Sequence, residues 1–257
     1  MKKFLFFLLP FLFFAPNFVF AAGPYVYVMQ DGAVTKDTGS AVSWPLASIT
    51  KLMTALVLSD MKLNWNASVK LAGGDEVGGA RLRVAVGGVY RRIDLLHASL
   101  MGSANNATNA LARTSGLTKA QFVARMNAKA KQLGMTRTHF TDPTGIKTSN
   151  VSTAHDIALL IEAAARDERI LPIEQKTSYT LQSIAKKPRV HTIKNTDALL
   201  KRGVDVQVAK TGYLVESKYN FAIRATDTAG KACTVVVLGA PSMASSIQLA
   251  SEFGNLE

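Results

Sequence analysis

The chain has 257 residues, 48% of them hydrophobic, enough for one large domain or two small lobes with a real core. Its single cysteine, Cys233, excludes an intramolecular disulfide and sits in an apolar run that reads as a buried, inert thiol. The formal net charge of +12 favours an anionic partner, and the scattered His97, His139, His155 and His191 lack metal-ligand spacing, so no metal or other cofactor is expected.

Lys2 and Lys3 open the chain, and an apolar stretch from Phe4 to Phe20 follows, interrupted by Pro10 and Pro16. Val19-Phe20-Ala21 then offers a cleavage site, so residues 1–21 read as a secretory signal peptide. The two prolines and the short length argue against a spanning helix. Export to a periplasm makes nucleic acid an unsuitable partner and a cell-wall polymer or membrane surface a better electrostatic match.

"PYVYVMQDGAVTKD" alternates around Asp31-Gly32 and predicts a hairpin from about Tyr25 to Lys36. A loop with Pro45 leads into a helix from about Ser48 to Asp60, with Leu52, Met53, Leu56 and Val57 at helical spacing. The Gly-rich "LAGGDEVGGARLRVAVGGVY" reads as loops with short strands. "RRIDLLHASLMG" and "SANNATNALART" read as successive helices. Thr118-x-x-Gln121 is a capping box for a helix ending near Gly134, "THFTDPTGIKTSN" is a turn-rich loop, and Thr153-x-x-Asp156 caps a further helix. From about Thr177 the segments are extended, the last two joined by a turn at Thr228–Gly230, and a short helix follows Pro241. β-rich ends therefore enclose an α-rich middle. Strands from both termini can share one antiparallel sheet, with the central helices as a second lobe.

"SWPLASITKLMTAL" carries Ser48-x-x-Lys51 where the loop turns into the helix. A serine hydroxyl needs a base within hydrogen-bond reach, and residues at i and i+3 of a helix share a face. A lysine can serve only when neutral, which burial or a neighbouring cation promotes. The spacing alone arises by chance about once per 250 residues. A second copy, Ser183-x-x-Lys186, is followed by Pro188 and starts no apolar helix. The plain alternative for Ser48 is a helix N-cap. Two further elements change the balance. Ser103-x-Asn105 lies at a helix-to-helix junction, where capping is the alternative. Lys210-Thr211-Gly212 lies in a strand, where a protective edge lysine is the alternative. The three occur in the order that marks penicillin-binding proteins and class A β-lactamases, each in the type of element its role needs.

On these motifs the chain resembles the low-molecular-mass penicillin-binding proteins, the serine D-alanyl-D-alanine carboxypeptidase/endopeptidase family. The likeness extends through "PLASITKLMTALV", "RLRV…RRIDLLHASLMGSANNATNALA", "AKQLGMTRTHFTDPTGIKTSNVSTAHDIALL" and "AKTGYLVES". The "ARLRV" stretch most resembles the endopeptidase branch, often called penicillin-binding protein 7 type. The resemblance implies a mixed α/β, β-lactamase/transpeptidase-like fold: a five-stranded antiparallel sheet flanked by helices, plus an all-helical lobe. It implies one catalytic domain over residues 22–257, with the sheet lobe at about 22–62 and 187–257 and the helical lobe at about 63–186.

The same resemblance implies the roles. Ser48 attacks the carbonyl of a D-alanine-type bond and is acylated, and Lys51 accepts its proton. Ser103 relays a proton to the leaving amine, and Asn105 binds the acyl part. Lys210 supplies positive charge, Thr211 binds the substrate carboxylate, and Gly212 lets the substrate backbone lie against its strand. The backbone N–H groups of Ser48 and Tyr213 form the oxyanion hole. Peptidoglycan stem peptides are the implied substrate and β-lactams the implied covalent inhibitors, acting on a monomer. The middle triplet is Ser-Ala-Asn, and no glutamate occurs between Glu76 and Glu162. Asp142 reads as a turn former. A long-lived penicilloyl enzyme is therefore expected rather than a β-lactamase. Cross-link cleavage is favoured over removal of terminal D-alanine, and a non-catalytic wall-binding protein is the reading from another class. "SSIQLASEFGNLE" lacks a basic amphipathic face, so no stable membrane anchor is expected. Asn66, Asn106 and Asn150 begin sequons read as coincidental.

Overall fold

The structure is a computed structural model that describes residues 23–256; the signal peptide expected at residues 1–21 lies outside them. The N-terminal hairpin forms as expected. β1 (Tyr25–Gln30) and β2 (Ala33–Asp37) are joined by Asp31 and Gly32, both at positive φ, as a tight two-residue hairpin turn requires. β3 (Trp44–Pro45) leads through a 3₁₀ turn at Ala47–Ile49 into α1 (Thr50–Ser59). Ser48 therefore sits in a tighter turn just ahead of the α-helix, not inside it as its sequence suggested.

The Gly-rich stretch holds β4 (Ser68–Lys70) and β5 (Val89–Arg91), which pair with each other. α2 (Arg92–Leu100), α3 (Asn105–Arg113) and α4 (Lys119–Gln132) follow, the last with its Thr118–Gln121 capping box in place. After the turn-rich loop come β6 (Val151–Ser152), paired with β3, and α5 (Ala154–Ala165), capped by Thr153. The chain continues through α6 (Leu171–Glu174), β7 (Ser178–Gln182), β8 (Val190–Lys194) and α7 (Ala198–Lys201). β7 and β8 form a separate hairpin whose tip carries the Ser183-x-x-Lys186 copy, far from any helix start. β9 (Val206–Leu214), β10 (Lys218–Thr226), β11 (Ala232–Ala240) and α8 (Met243–Gly254) complete the chain. No helix among the described residues is long and apolar enough to cross a membrane.

The main sheet has the order β2-β1-β11-β10-β9, with every pair antiparallel, so both ends of the chain build it. Alternation along the strands divides their side chains between two cores. Tyr27, Val208, Ala222 and Val236 face α5 and belong to the same core as α1. Val28, Phe221, Ile223, Val235 and the buried Cys233 face α8. α1 is buried from Thr50 to Leu58 because α2, α3, α4 and α5 all pack against it. A helix enclosed on all sides is apolar around its whole circumference, and this one carries a lysine.

Asn220 in β10 fastens the Ser48 turn to the sheet. It is fully buried; its Nδ2 donates to the Pro45 carbonyl at 2.9 Å, and its Oδ1 accepts from the Gly239 N–H at 3.1 Å. Trp44 adds a second tie, its indole N–H donating to the Ser217 carbonyl at 3.0 Å. Asn220→Ala leaves two buried backbone groups without this partner, each worth about 1–3 kcal/mol. Urea denaturation is expected to show an unfolding free energy lower by about 2–4 kcal/mol, and a loss within experimental error would refute this fastening role.

Candidate active site

Ser48, Ser103, Asn105, Thr211, Gly212 and Tyr213 line one cleft of about 260 Å³. Lys51 and Lys210 lie behind its wall, 0% and 1% exposed. The three motifs, spread over more than 160 residues of chain, thus converge at one place.

Lys51 Nζ lies 2.8 Å from Ser48 Oγ and donates to the Thr144 carbonyl at 2.8 Å. The N-cap of α1 is Ile49, with no side-chain cap. Ser48 is therefore partnered with Lys51 and does not cap the helix. Burial pushes Lys51 well below the ordinary lysine range, the nearby Lys210 charge pushes it further, and Asp142 opposes both. The neutral amine is favoured where Ser48 needs a base.

The loop over α1 is held by its own polar groups. Asp142 Oδ1 accepts from the Thr144 and Gly145 N–H groups and from the Thr144 hydroxyl, and Oδ2 accepts from the Lys147 N–H. Asp142 is the turn former its sequence predicts, and it aims the Thr144 carbonyl at Lys51. Asn150, fully buried, donates to Thr50 Oγ1 and to the Asp142 carbonyl. A Cβ on Gly145 would sit 1.8 Å from the Ala47 carbonyl oxygen at φ +82°, so only glycine fits.

Ser103 occupies the junction between α2 and α3 at φ +56°, a conformation costly for a residue with a side chain. α3 has Ala104 as its N-cap and no side-chain cap. Asn105 donates through Nδ2 to the Gly78 carbonyl at 2.8 Å, while its Oδ1 is buried with no partner. Capping thus accounts for neither residue.

β9 is an edge strand, but Lys210 does not protect that edge: it is buried, with its Nζ donating to the Thr211 carbonyl at 3.3 Å. The Thr211 hydroxyl donates to Thr196 Oγ1 at 3.2 Å. Gly212 has a structural reason beyond its expected one. An added Cβ would lie 2.9 Å from the Leu46 carbonyl oxygen and 3.4 Å from the Ser48 nitrogen, so its bareness lets the Ser48 turn close on β9. Tyr213 is half exposed, its ring against Tyr219 with centroids 4.4 Å apart.

Sequence reasoning missed the group behind Lys210. Glu174, at the end of α6 where that helix packs on β9, is 1% exposed, and neither carboxylate oxygen has a hydrogen-bond partner. Burial pushes Glu174 up to about 8, opposed by Lys210. Burial pushes Lys210 down to about 8, opposed by Glu174 and Asp197. Asp197 is itself raised by burial, though it accepts from the Leu199 and Leu200 N–H groups. "LPIEQK" carries no motif, so only the fold shows that this glutamate faces a lysine. Thr196 and Asn220 were missed for the same reason. Among the described residues, no group of His, Cys, Asp or Glu is arranged to hold a metal.

Solved structures share this arrangement of sheet and helices. The crystal structure of the Streptomyces K15 DD-transpeptidase matches with a TM-score of 0.83 at 27% identity, over 90% of this chain and 94% of that one. A D-alanyl-D-alanine carboxypeptidase from Mycobacterium tuberculosis matches with a TM-score of 0.79 at 29% identity, over 93% of each chain. The fold is thus the β-lactamase/transpeptidase-like class expected from the sequence. Residues 17–242 match the model of the D-alanyl-D-alanine carboxypeptidase family of peptidases, and the chain belongs to that family. It is similar to the D-alanyl-D-alanine endopeptidase of Pseudomonas aeruginosa, at 37% identity over 188 residues, 71% of this chain and 59% of the relative. The Escherichia coli D-alanyl-D-alanine endopeptidase is 36% identical over 175 residues, 66% of this chain and 55% of the relative. The match spans less than two thirds of the length of these two relatives.

Glu174→Gln removes the negative charge that helps Lys210 keep its proton. The Lys210 titration midpoint, followed by NMR of isotope-labelled lysine, is expected to fall below about 8. An unmoved midpoint would show that Glu174 carries no charge beside Lys210.

Proposed function

We propose that the protein is an exported serine D,D-peptidase of the periplasm that cleaves D-alanine-type cross-links in peptidoglycan. The observation that carries this reading is the buried Lys51 nitrogen, 2.8 Å from Ser48 Oγ and shifted toward neutrality. The endopeptidase relatives favour cross-link cleavage over removal of terminal D-alanine. Residues 22–257 act as one catalytic domain, and as a monomer; the groups named for the cleft lie along 48–213 of this chain.

Neutral Lys51 takes the Ser48 proton as Oγ attacks the scissile carbonyl carbon. The carbonyl electrons move onto oxygen, which the Ser48 and Tyr213 backbone N–H groups receive; such a donor is typically worth about 2.7–4 kcal/mol in the transition state. Collapse of this intermediate breaks the C–N bond, and the proton passes through Ser103 to the leaving amine. Asn105 Oδ1, unpartnered in the free protein, accepts from an amide N–H of the acyl strand. Thr211, backed by the Lys210 charge, receives the carboxylate beside the leaving amine. Water then hydrolyses the ester and frees Ser48.

A β-lactam follows the same path up to the ester, but its amine remains tethered. Among the described residues no carboxylate is seen placed to activate water there: Asp142 is engaged by its turn, and Glu174 and Asp197 lie on the Lys210 side. Intact-mass spectrometry after mixing with penicillin is expected to show a stable one-to-one adduct that Ser48→Ala lacks. Rapid penicillin consumption without an adduct would instead indicate a β-lactamase. With purified muropeptides, cross-linked dimers are expected to disappear; loss of only terminal D-alanine would make the enzyme a carboxypeptidase.

The rate of penicillin acylation follows two opposed titrations. It falls as pH drops through the lowered Lys51 value, because the base becomes protonated. It falls again as pH rises through about 8, because Lys210 loses its charge. Lys210→Arg keeps the charge to higher pH and is expected to move the alkaline limb upward. An alkaline limb that stays in place would remove Lys210 from this role.

A further inference from the structure

Two cavities beyond the Ser48 cleft form one groove. One of about 440 Å³ and one of about 650 Å³ share Arg81, Arg83 and His191. The smaller reaches Gly102 and Ala104, the neighbours of Ser103, and Gly102 also lines the Ser48 cleft. The groove therefore starts where the catalytic cleft ends, at the turn that carries Ser103.

Its walls are basic. The 76–88 loop contributes Arg81 and Arg83, and the β7–β8 hairpin contributes Lys187, Arg189 and Lys194. Glu76 is the one carboxylate on the lining, and it stands 3.9 Å from Arg81. The arginines are mounted on fixed backbone. Leu82 between them is buried; its N–H donates to Asn106 Oδ1 and its carbonyl accepts from Asn106 Nδ2, each at 2.9 Å. Asn106 follows Asn105 in the first turn of α3, so one helix start positions both the cleft and the groove wall. The hairpin tip is tied across by the Ile184 N–H, which donates to the Val89 carbonyl at 2.8 Å.

We propose that this groove binds the carboxylates of the leaving peptide strand, so that the substrate is recognised as a cross-link between two acidic peptides; the inference rests on the peptidase reading. Ser103 protonates the leaving amine, and the groove opens beside Ser103, so the strand bearing that amine enters it. A single departing D-alanine ends at Thr211 and leaves the groove empty. A whole peptide brings free carboxylates to five cationic side chains set against one glutamate. Complementary charge along such a path selects the partner and speeds its encounter.

Binding is measured on the Ser48→Ala chain, which cannot be acylated. The probes are a purified cross-linked muropeptide dimer and the same dimer with its carboxylates amidated. The free-acid dimer is expected to bind at least about tenfold more tightly, with the preference shrinking as salt rises. Arg83→Glu combined with Arg189→Glu is expected to abolish the preference, and Arg83→Lys with Arg189→Lys to retain most of it. Equal affinity for both dimers overturns the proposal, as does a preference that survives charge reversal. Binding to phosphatidylglycerol vesicles but not to the dimer overturns it in favour of a membrane surface. The penicillin adduct on unaltered Ser48 tests the peptidase reading separately, so the two can fail independently.

Discussion

Lys51 and Lys210 are both enclosed by protein, and neither belongs to an ion pair among the described residues. Holding two hydrated ammonium charges in such a place costs several kcal/mol for each ion. The chain lowers this cost by releasing protons, and the lysine under Ser48 is the one with no carboxylate raising it except Asp142. Much of the architecture serves this condition. α1 must be covered on every side, which takes α2, α3, α4 and α5 together. The 141–150 loop must close over Lys51 without bringing in water, and Asp142 and Asn150 supply the polar partners that its backbone would otherwise lack.

Closure at that point is obtained with strain. Ala47 precedes the nucleophile at φ +50°, Ser103 stands at φ +56°, and Gly145 is pressed against the Ala47 carbonyl. Left-handed conformations at residues with a Cβ cost of order 1–3 kcal/mol and persist only when their surroundings determine them. Here the surroundings are identifiable. Asn220 and Trp44 hold the segment before Ser48 to the sheet, and Asn106 holds the chain that faces Ser103. Of the five non-glycine residues at positive φ among the described residues, two, Ala47 and Ser103, belong to the turns that present the two serines to the cleft.

Features that depend on near neighbours in the chain were legible in the sequence. The Asp31-Gly32 hairpin, the Thr118 capping box and the Asp142 turn each act over a few residues, and the structure contains all three. The Ser-Lys spacing was legible as well, although Ser48 stands in a 3₁₀ turn, against which Gly145 and Gly212 pack closely for want of a side chain. Polar residues that act across the fold were not legible. Asn220 reaches a carbonyl 175 positions away, and Glu174 faces a lysine on a strand that no local pattern links to it. Asn106 and Asn150 looked like sequons, but both are buried and their amides hold backbone in place. A single sequence records which residues can bond, and the fold decides which of them meet.

On the proposed mechanism, the same enclosure accounts for the difference between a peptide and a β-lactam. Attack needs only Lys51, whose nitrogen already lies beside Ser48. Deacylation needs water at the acyl carbon, and of the nearby carboxylates Asp142 is held by its own turn while Glu174 and Asp197 lie on the Lys210 side. A departing peptide strand vacates the space beside Ser103, and water can enter where the amine left. A lactam amine remains attached and keeps that space filled. Turnover of one and trapping of the other then follow from whether the leaving group can leave, with the catalytic groups unchanged. A basic groove opening beside Ser103 belongs to this logic, because it gives the departing strand its own path away from the ester.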